Sequence, residues 1–312
     1  MRPEPDRRVP VLVGPTASGK TPISLLIAPG LNAEIISADS RQIYKQLDIG
    51  TAKPSKEDLS RVRHYFVDEI PPERDFNAGE FGVRGREVIG EIFGRRKVPL
   101  VVGGSGLYVR ALVDGFFEGV SSDPETRSEL YRRLREDGAE ALYDELKRVD
   151  PLSASRMHPS KPRRVIRALE VYRLTGTPIS ELQQASVRTG IKPVFAGLRW
   201  NRKLLYARID RRVEWMIARG LVDEAKALRA TGYSSALNSL NTPGYREVFA
   251  HLDGMISHAE MIELIKRNSR RYAKRQLTWF RRDERIRWFD LAGEEDFPDA
   301  ASRISAYFLE ET

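Results

Sequence analysis

The sequence predicts an α/β fold in which a parallel sheet is flanked by helices and interrupted by an all-α insertion. Three observations predict it. Apolar runs at 9–13, 34–37 and 98–102 alternate with helical patterns, the strand–helix–strand order of a parallel sheet. Each run ends in a polar or glycine-rich turn, where open α/β sheets gather their functional groups. Between about 121 and 190 the pattern is helical throughout.

The first run, Val9-Pro10-Val11-Leu12-Val13, leads into Gly14-Pro15-Thr16-Ala17-Ser18-Gly19-Lys20-Thr21. Glycine, four spacers, then Gly-Lys-Thr is a phosphate-binding P-loop in its strict form, so the sheet is expected to be of P-loop NTPase type. Its backbone N–H groups converge on an anion, and the next helix adds the positive end of its dipole. Lys20 supplies a mobile charge, and the Thr21 hydroxyl is the expected Mg²⁺ ligand. Pro29-Gly30 stops the helix. Glu34-Ile35-Ile36-Ser37 reads as a second buried strand ending at Ala38-Asp39-Ser40, followed by a polar loop through Pro54. Residues 64–70 read as a third strand. A helix over 78–95 then precedes the strand 98–102, which ends in Gly103-Gly104-Ser105-Gly106. The P-loop, Asp39 and Ser105 are the candidates at strand ends.

Ser122-Asp123-Pro124-Glu125 reads as a capping box opening the insertion, which gives a core of residues 1–120 with 191–312 and an insertion of 121–190. Within it, Arg163, Arg164 and Arg167 share one side of a helix, Ile166, Leu169 and Tyr172 the other; Glu170 can pair with Arg167. The arginine side is either a solvated face or a phosphate-contacting one. Residues 194–198 return to the sheet. Asn201 caps a helix carrying Arg208, Arg211 and Arg212 and ending at Arg219-Gly220; a second helix ends at Gly232. After Asn241-Thr242-Pro243-Gly244-Tyr245-Arg246-Glu247, a capping box at Ser257–Glu260 opens a basic helix. Its Ile262, Ile265 and Tyr272 are expected to face inward, and Arg267, Arg271 and Lys274 outward. Arg287-Trp288-Phe289 reads as a last strand.

Composition narrows the function. With 52 Lys and Arg against 44 Asp and Glu the chain nets +8. Residues 261–288 hold ten bases against Glu263, Asp283 and Glu284, so that segment carries +7 of the excess. Interleaved aromatics make nucleic acid the expected partner. No run is long enough to span a membrane and no leader is visible, so a cytoplasmic protein without a membrane partner is expected. Zero cysteines exclude disulfides, thiolate chemistry and cysteine–zinc sites. The histidines at 64, 158, 251 and 258 show no metal-ligand spacing.

A P-loop ATPase or GTPase pairs the loop with an apolar strand ending in Asp, which orders Mg²⁺. Here the strand 98–102 ends in GGSG, and Asp68-Glu69 follows a short, polar-flanked run. Asp39 is better placed: it could deprotonate a hydroxyl or hold Mg²⁺ in a small-molecule kinase, or take a proton from another nucleophile in a transferase. The residues alone leave a P-loop kinase, a transferase acting on nucleic acid and a non-catalytic RNA binder open.

Taken together, GPTASGKT at 14–21, EIISADSRQIYKQLDIGTAKP at 34–54, VPLVVGGSGLY at 98–108, RRVIRALEVYRLTG at 163–176, GYRE at 244–247 and RRYAKRQLTWFRR at 270–282 resemble the bacterial tRNA dimethylallyltransferase (tRNA isopentenyltransferase) family. The resemblance implies a monomeric enzyme that moves a dimethylallyl group from dimethylallyl diphosphate to N6 of adenosine 37, in tRNAs carrying A36-A37-A38. It implies that the loop 14–21, with Lys20, Thr21-bound Mg²⁺ and Arg208, holds the departing diphosphate. Ser105 would donate to the bridging oxygen and Asp39 would act as general base. It further implies tRNA contacts at Asp39, Ser40, Arg41, Gln42, Ser105, Arg127, Arg163, Arg164, Val165, Ile166 and Arg167. The same holds for Asn241, Thr242, Pro243, Gly244, Tyr245 and Arg246, with Arg271, Lys274 and Arg275 holding backbone phosphates. The chain departs from the family pattern at Ser105 and Ser269, where threonine is usual, at Ser160-Lys161 in place of Asn-Asp, and at Pro243 in place of an aliphatic residue.

Overall fold

Six parallel strands make one sheet in the order β3-β2-β4-β1-β5-β6: β1 (Arg7–Val13), β2 (Ala33–Ala38), β3 (His64–Tyr65), β4 (Val98–Gly103), β5 (Ile191–Trp200) and β6 (Ile286–Leu291). The computed structural model describes residues 7–116, 123–184 and 189–311. β2 is buried at every position and β1 over its last five residues, as strands covered by helices on both faces must be. Register decides the rest. Val13 pairs with Gly103 and Gly197, and Gly103 pairs with Ala38, so β1, β2 and β4 end level with one another. The P-loop, Asp39 and Gly104-Ser105 therefore leave the sheet side by side. Gly103 is required by this approach: a Cβ there would lie 2.2 Å from the Ala38 carbonyl oxygen.

Helices Lys20–Gly30 and Ala78–Gly94 fall where the pattern places them. The third strand does not extend to residue 70. It stops at Tyr65 because Phe66 and Asp68 take φ of 63° and 58°, which no strand continues through. Phe297–Glu311, read as no element from the sequence, is a helix whose Phe297, Ala300, Ala301, Ile304 and Phe308 pack in one core cluster with Ile23 and Ile27. The basic helix runs His258–Phe280 behind the Ser257–Glu260 capping box. Its buried stripe is Met261, Ile265, Ala273, Gln276 and Phe280; Ile265 faces inward and Arg267, Arg271 and Lys274 outward as expected, while Ile262 and Tyr272 are only partly buried.

The chain divides into two compact units, residues 1–113 with 189–312, and residues 114–188. Residues 189 and 190 join the sheet unit because Thr189 Oγ1 donates to the Val113 carbonyl (2.8 Å) and Arg7 N to the Gly190 carbonyl (3.0 Å). The second unit packs Leu130, Leu142, Leu146, Val165, Ile166 and Leu169 into its own cluster. Its first described helix, Pro124–Glu136, is capped by the Asp123 carboxylate, which accepts from Thr126 N at 2.7 Å; Ser122 lies outside the described residues. Glu170 is fully buried and accepts from Arg167 (2.8 Å), Arg127 (3.1 Å) and Asp123 N (3.1 Å). Val165 and Ile166 are core residues, which corrects their expected role: their side chains offer nothing to RNA. Arg163 and Arg164 are exposed.

At the other end of β2 the buried Glu34 carboxylate accepts from Arg95 (2.8 Å), Lys97 (3.0 Å) and the Tyr65 hydroxyl (2.8 Å). Burial alone would raise its pKa; the three donors outweigh that and hold it at about 2 against an ordinary 4.5. A depressed carboxyl stabilises the fold above its unfolded value, and that contribution is lost as pH falls from about 4.5 toward 2. Acid unfolding of Glu34→Gln should show the wild-type slope in that window reduced by roughly 2–3 kcal/mol in total. Superimposable acid limbs would contradict the assignment.

Candidate active site

The P-loop is held from several sides. Ala17 and Gly19 take left-handed φ of 61° and 89°, which curls the loop at the start of the Lys20–Gly30 helix. Trp200 Nε1, at the end of β5, donates to the Ser18 carbonyl at 3.0 Å. Arg208 Nε, in the second turn of the Arg202–Ala218 helix, donates to the Ala17 carbonyl at 2.9 Å, while its guanidinium lies over the Trp200 ring and pairs with Glu294. A Cβ on Gly19 would sit 2.5 Å from the Phe297 ring, so that ring forms the loop's floor. Gln276 of the basic helix completes the set: its Oε1 accepts from Thr16 N at 2.8 Å and its Nε2 donates to the Gly104 carbonyl at 2.8 Å. One buried amide thus ties the ends of β1 and β4 together.

Lys20 folds back onto its own loop, donating to the carbonyls of Gly14 (3.0 Å) and Pro15 (2.7 Å). Burial lowers its pKa to about 8, against the opposing charge of Asp39 and with help from Arg212. Burial likewise pulls the Arg212 guanidinium down, with Asp39 acting against it. Asp39 turns the chain after β2 by accepting from Arg41 N at 2.9 Å. Ser105 lies beside it: its hydroxyl accepts from Ser40 N at 3.1 Å and its own N–H donates to the Ala38 carbonyl at 3.2 Å. Tyr272 faces both. Burial and then the Asp39 charge push its hydroxyl up to about 12, while a hydrogen bond with Ser105 works the other way.

A cavity of about 810 Å³ opens over these groups. Of the residues expected in a site, it is lined by Thr16 to Thr21, by Asp39, Ser40, Arg41 and Gln42, and by Arg208, Asn241, Thr242, Pro243 and Arg275. Gly14 and Pro15 form the base of the loop. Gln42 works as a bracket, donating to the Ala52 carbonyl at 3.1 Å. Tyr245 departs from expectation: it is fully buried, its hydroxyl donates to Glu224 (2.5 Å), and Gly50 packs on its ring. Glu224 also accepts from the backbone N–H groups of Asp48, Ile49 and Gly50, so Tyr245 is a strut for the loop after Asp39 and not an RNA contact. Gly244 N and Arg246 both donate to the buried Glu247, at 2.8 Å each. Arg271 and Lys274 line a second, smaller groove together with Arg275.

Residues 42–283 match the IPP transferase family. The chain belongs to that family. It is 43% identical over 299 residues to the tRNA dimethylallyltransferase of Geobacter metallireducens, covering 95% of this chain and 96% of the relative. The tRNA isopentenylpyrophosphate transferase of Bacillus halodurans is similar in structure, with a TM-score of 0.71, 40% identity and 97% of each chain covered. A eukaryotic dimethylallyltransferase acting on tRNA superimposes with a TM-score of 0.83 at 27% identity, over 98% of this chain and 80% of that one. The sheet is accordingly of the P-loop NTPase type. Among the described residues no helix is long and apolar enough to cross a membrane.

Gln276, Trp200, Phe297, Glu294, Tyr272 and Glu224 were not singled out as site residues by the sequence. Gln276 did carry a signal, since an amide on the apolar stripe of an amphipathic helix needs partners. Replacing it with leucine leaves Thr16 N and the Gly104 carbonyl unpaired at ~1–3 kcal/mol each. Gln276→Leu should therefore weaken binding of inorganic pyrophosphate by about tenfold or more and lower thermal stability; calorimetric titration giving wild-type affinity would refute the clamp. Lys20 gives a pH test. Its ammonium is present below about 8 and lost above it, so pyrophosphate affinity should fall as pH rises through 8. Lys20→Met should lose that fall, and parallel profiles for the two proteins would remove Lys20 from the anion site.

Proposed function

We propose that the protein transfers a dimethylallyl group from dimethylallyl diphosphate to N6 of adenosine 37 in tRNAs carrying A36-A37-A38. The observation that carries this is the meeting of three level strand ends: the anion cradle after β1 and the carboxylate after β2 line one cavity, and the Ser105 hydroxyl after β4 stands beside that carboxylate on Ser40 N. The names of the relatives, tRNA dimethylallyltransferase and a dimethylallyltransferase acting on tRNA, agree with it. The small-molecule kinase reading is disfavoured, because β4 ends in glycine and serine with no acid to order a metal for phosphoryl transfer.

The chemistry follows from the groups. The C1–O bond of the donor breaks, its electron pair leaving with the diphosphate, while the adenine N6 lone pair forms the new N–C1 bond. Loop amides, Lys20 and Arg208 stabilise the charge that builds on the diphosphate. Ser105 donates to the bridging oxygen, where that charge first appears. Asp39 takes the N6 proton as the bond forms, which an exocyclic amine conjugated with its ring requires. The adenine must leave its stack to reach the cavity. Arg271, Lys274 and Arg275 hold backbone phosphates, which makes binding salt-dependent. Mg²⁺ is part of the proposal: Thr21 lines the cavity, and no cluster of three or more acidic, histidine or cysteine ligands exists among the described residues. That suits an ion which takes most of its ligands from substrate phosphates and, when bound, neutralises the leaving group. We place the enzyme in the cytoplasm, acting as a monomer.

The test is incubation with labelled dimethylallyl diphosphate, ATP, Mg²⁺ and an A36-A37-A38 tRNA. Label should enter the RNA and ATP should stay intact; unlabelled RNA with ATP hydrolysed would sink the proposal. Asp39→Asn should cut turnover by about a hundredfold or more with RNA affinity retained. Ser105→Ala should slow turnover by roughly ten- to a thousandfold.

A further inference from the structure

The basic helix His258–Phe280 has two working faces. Ile265, Ser269, Tyr272 and Gln276, at helical spacing, line the main cavity. Arg271, Lys274, Arg275, Thr278 and Trp279 line a separate groove of about 410 Å³ together with Arg282, and Arg275 lies on both walls. That volume falls in the range of small-ligand clefts, ~300–1,000 Å³.

Two properties of this groove point to its occupant. Its four cations, Arg271, Lys274, Arg275 and Arg282, have no carboxylate within ion-pairing distance among the described residues. On the same helix Lys266 pairs with Glu214 and Arg270 with Asp210. Unmatched charge of one sign in a concave surface calls for a polyanion. The second property is aromatic. Trp279 is 38% exposed in the middle of these cations, an aromatic face open to the groove. Its five-membered ring lies against the backbone of Gly106, where a Cβ would come within 2.2 Å of its Cδ1. The indole is thereby fixed one residue from Ser105.

We infer that Trp279 is a stacking platform for a base flanking the adenosine that enters the main cavity, with the groove cations on that nucleotide's phosphates. This rests on the proposed RNA reaction. Withdrawing one base from a stack leaves its neighbours with an uncovered face, and an aromatic side chain restores what they lose. The shared wall at Arg275 places the groove next to the cavity, where a neighbouring nucleotide would emerge.

The test is a binding cycle with an anticodon stem-loop RNA across a salt series. Trp279→Ala should weaken binding by roughly ten- to a hundredfold while leaving the slope of log Kd against log salt unchanged; Trp279→Phe should keep most of the affinity. Arg282→Ala should lower that slope by about 1. An RNA made abasic at the flanking position should bind wild type and Trp279→Ala alike, because the deleted base and the deleted ring share one interaction. Wild-type affinity for Trp279→Ala overturns the inference. So does a loss that persists with abasic sites on both sides of the adenosine, which would report altered folding or charge. The wild-type transfer assay is independent of all of these, so the stacking claim can fail while the reaction stands.

Discussion

The arrangement of the site depends on how the P-loop is held. A loop of backbone amides binds an anion well only if those amides already converge, because ordering them on binding costs conformational entropy. Here the loop is fixed by groups from distant parts of the chain: Trp200 and Arg208 on its carbonyls, Phe297 beneath Gly19 and Gln276 on Thr16 N. Because Gln276 also holds Gly104, the loop and the Ser105 turn are parts of one unit. The residues after position 190 therefore complete a site whose P-loop, Asp39 and Ser105 all lie before position 106.

Much of the fold was legible because parallel strands write themselves as apolar runs. β1, β2 and β4 are buried on both faces, so 9–13, 34–37 and 98–102 stand out. Their polar ends identified the P-loop, Asp39 and Ser105. What the sequence left unread were tertiary decisions. The third strand ends early through positive φ at Phe66 and Asp68, a backbone choice that side-chain pattern does not reveal. Tyr245, Val165 and Ile166 sit inside motifs whose neighbours face outward, and motif membership cannot separate a strut from a contact. Gln276 was the most readable omission, a polar residue on an apolar stripe.

Charge is sorted by place. The arginines of the 114–188 unit that were expected at RNA are in part committed to acids: Arg127 and Arg167 bind Glu170, whereas Arg163 and Arg164 are exposed. Glu34 gathers Arg95 and Lys97 at the far end of β2. Arg271, Lys274, Arg275 and Arg282, without acidic partners among the described residues, stand together in the groove, so positive charge is displayed where a polyanion would run past the cavity.

The central claim is that the P-loop clamps a departing diphosphate with Ser105 at the oxygen that bridges to carbon. The most direct measurement is a crystal structure with an unreactive thiolo analogue of dimethylallyl diphosphate, soaked with Mg²⁺. The account predicts the diphosphate on the amides of residues 16–20, Lys20 moved from the Gly14 and Pro15 carbonyls onto it, and the carbon-bearing end directed at Ser105 and Asp39. An analogue bound with its alkyl end away from Asp39, or bound outside the loop with Lys20 still on those carbonyls, would contradict it.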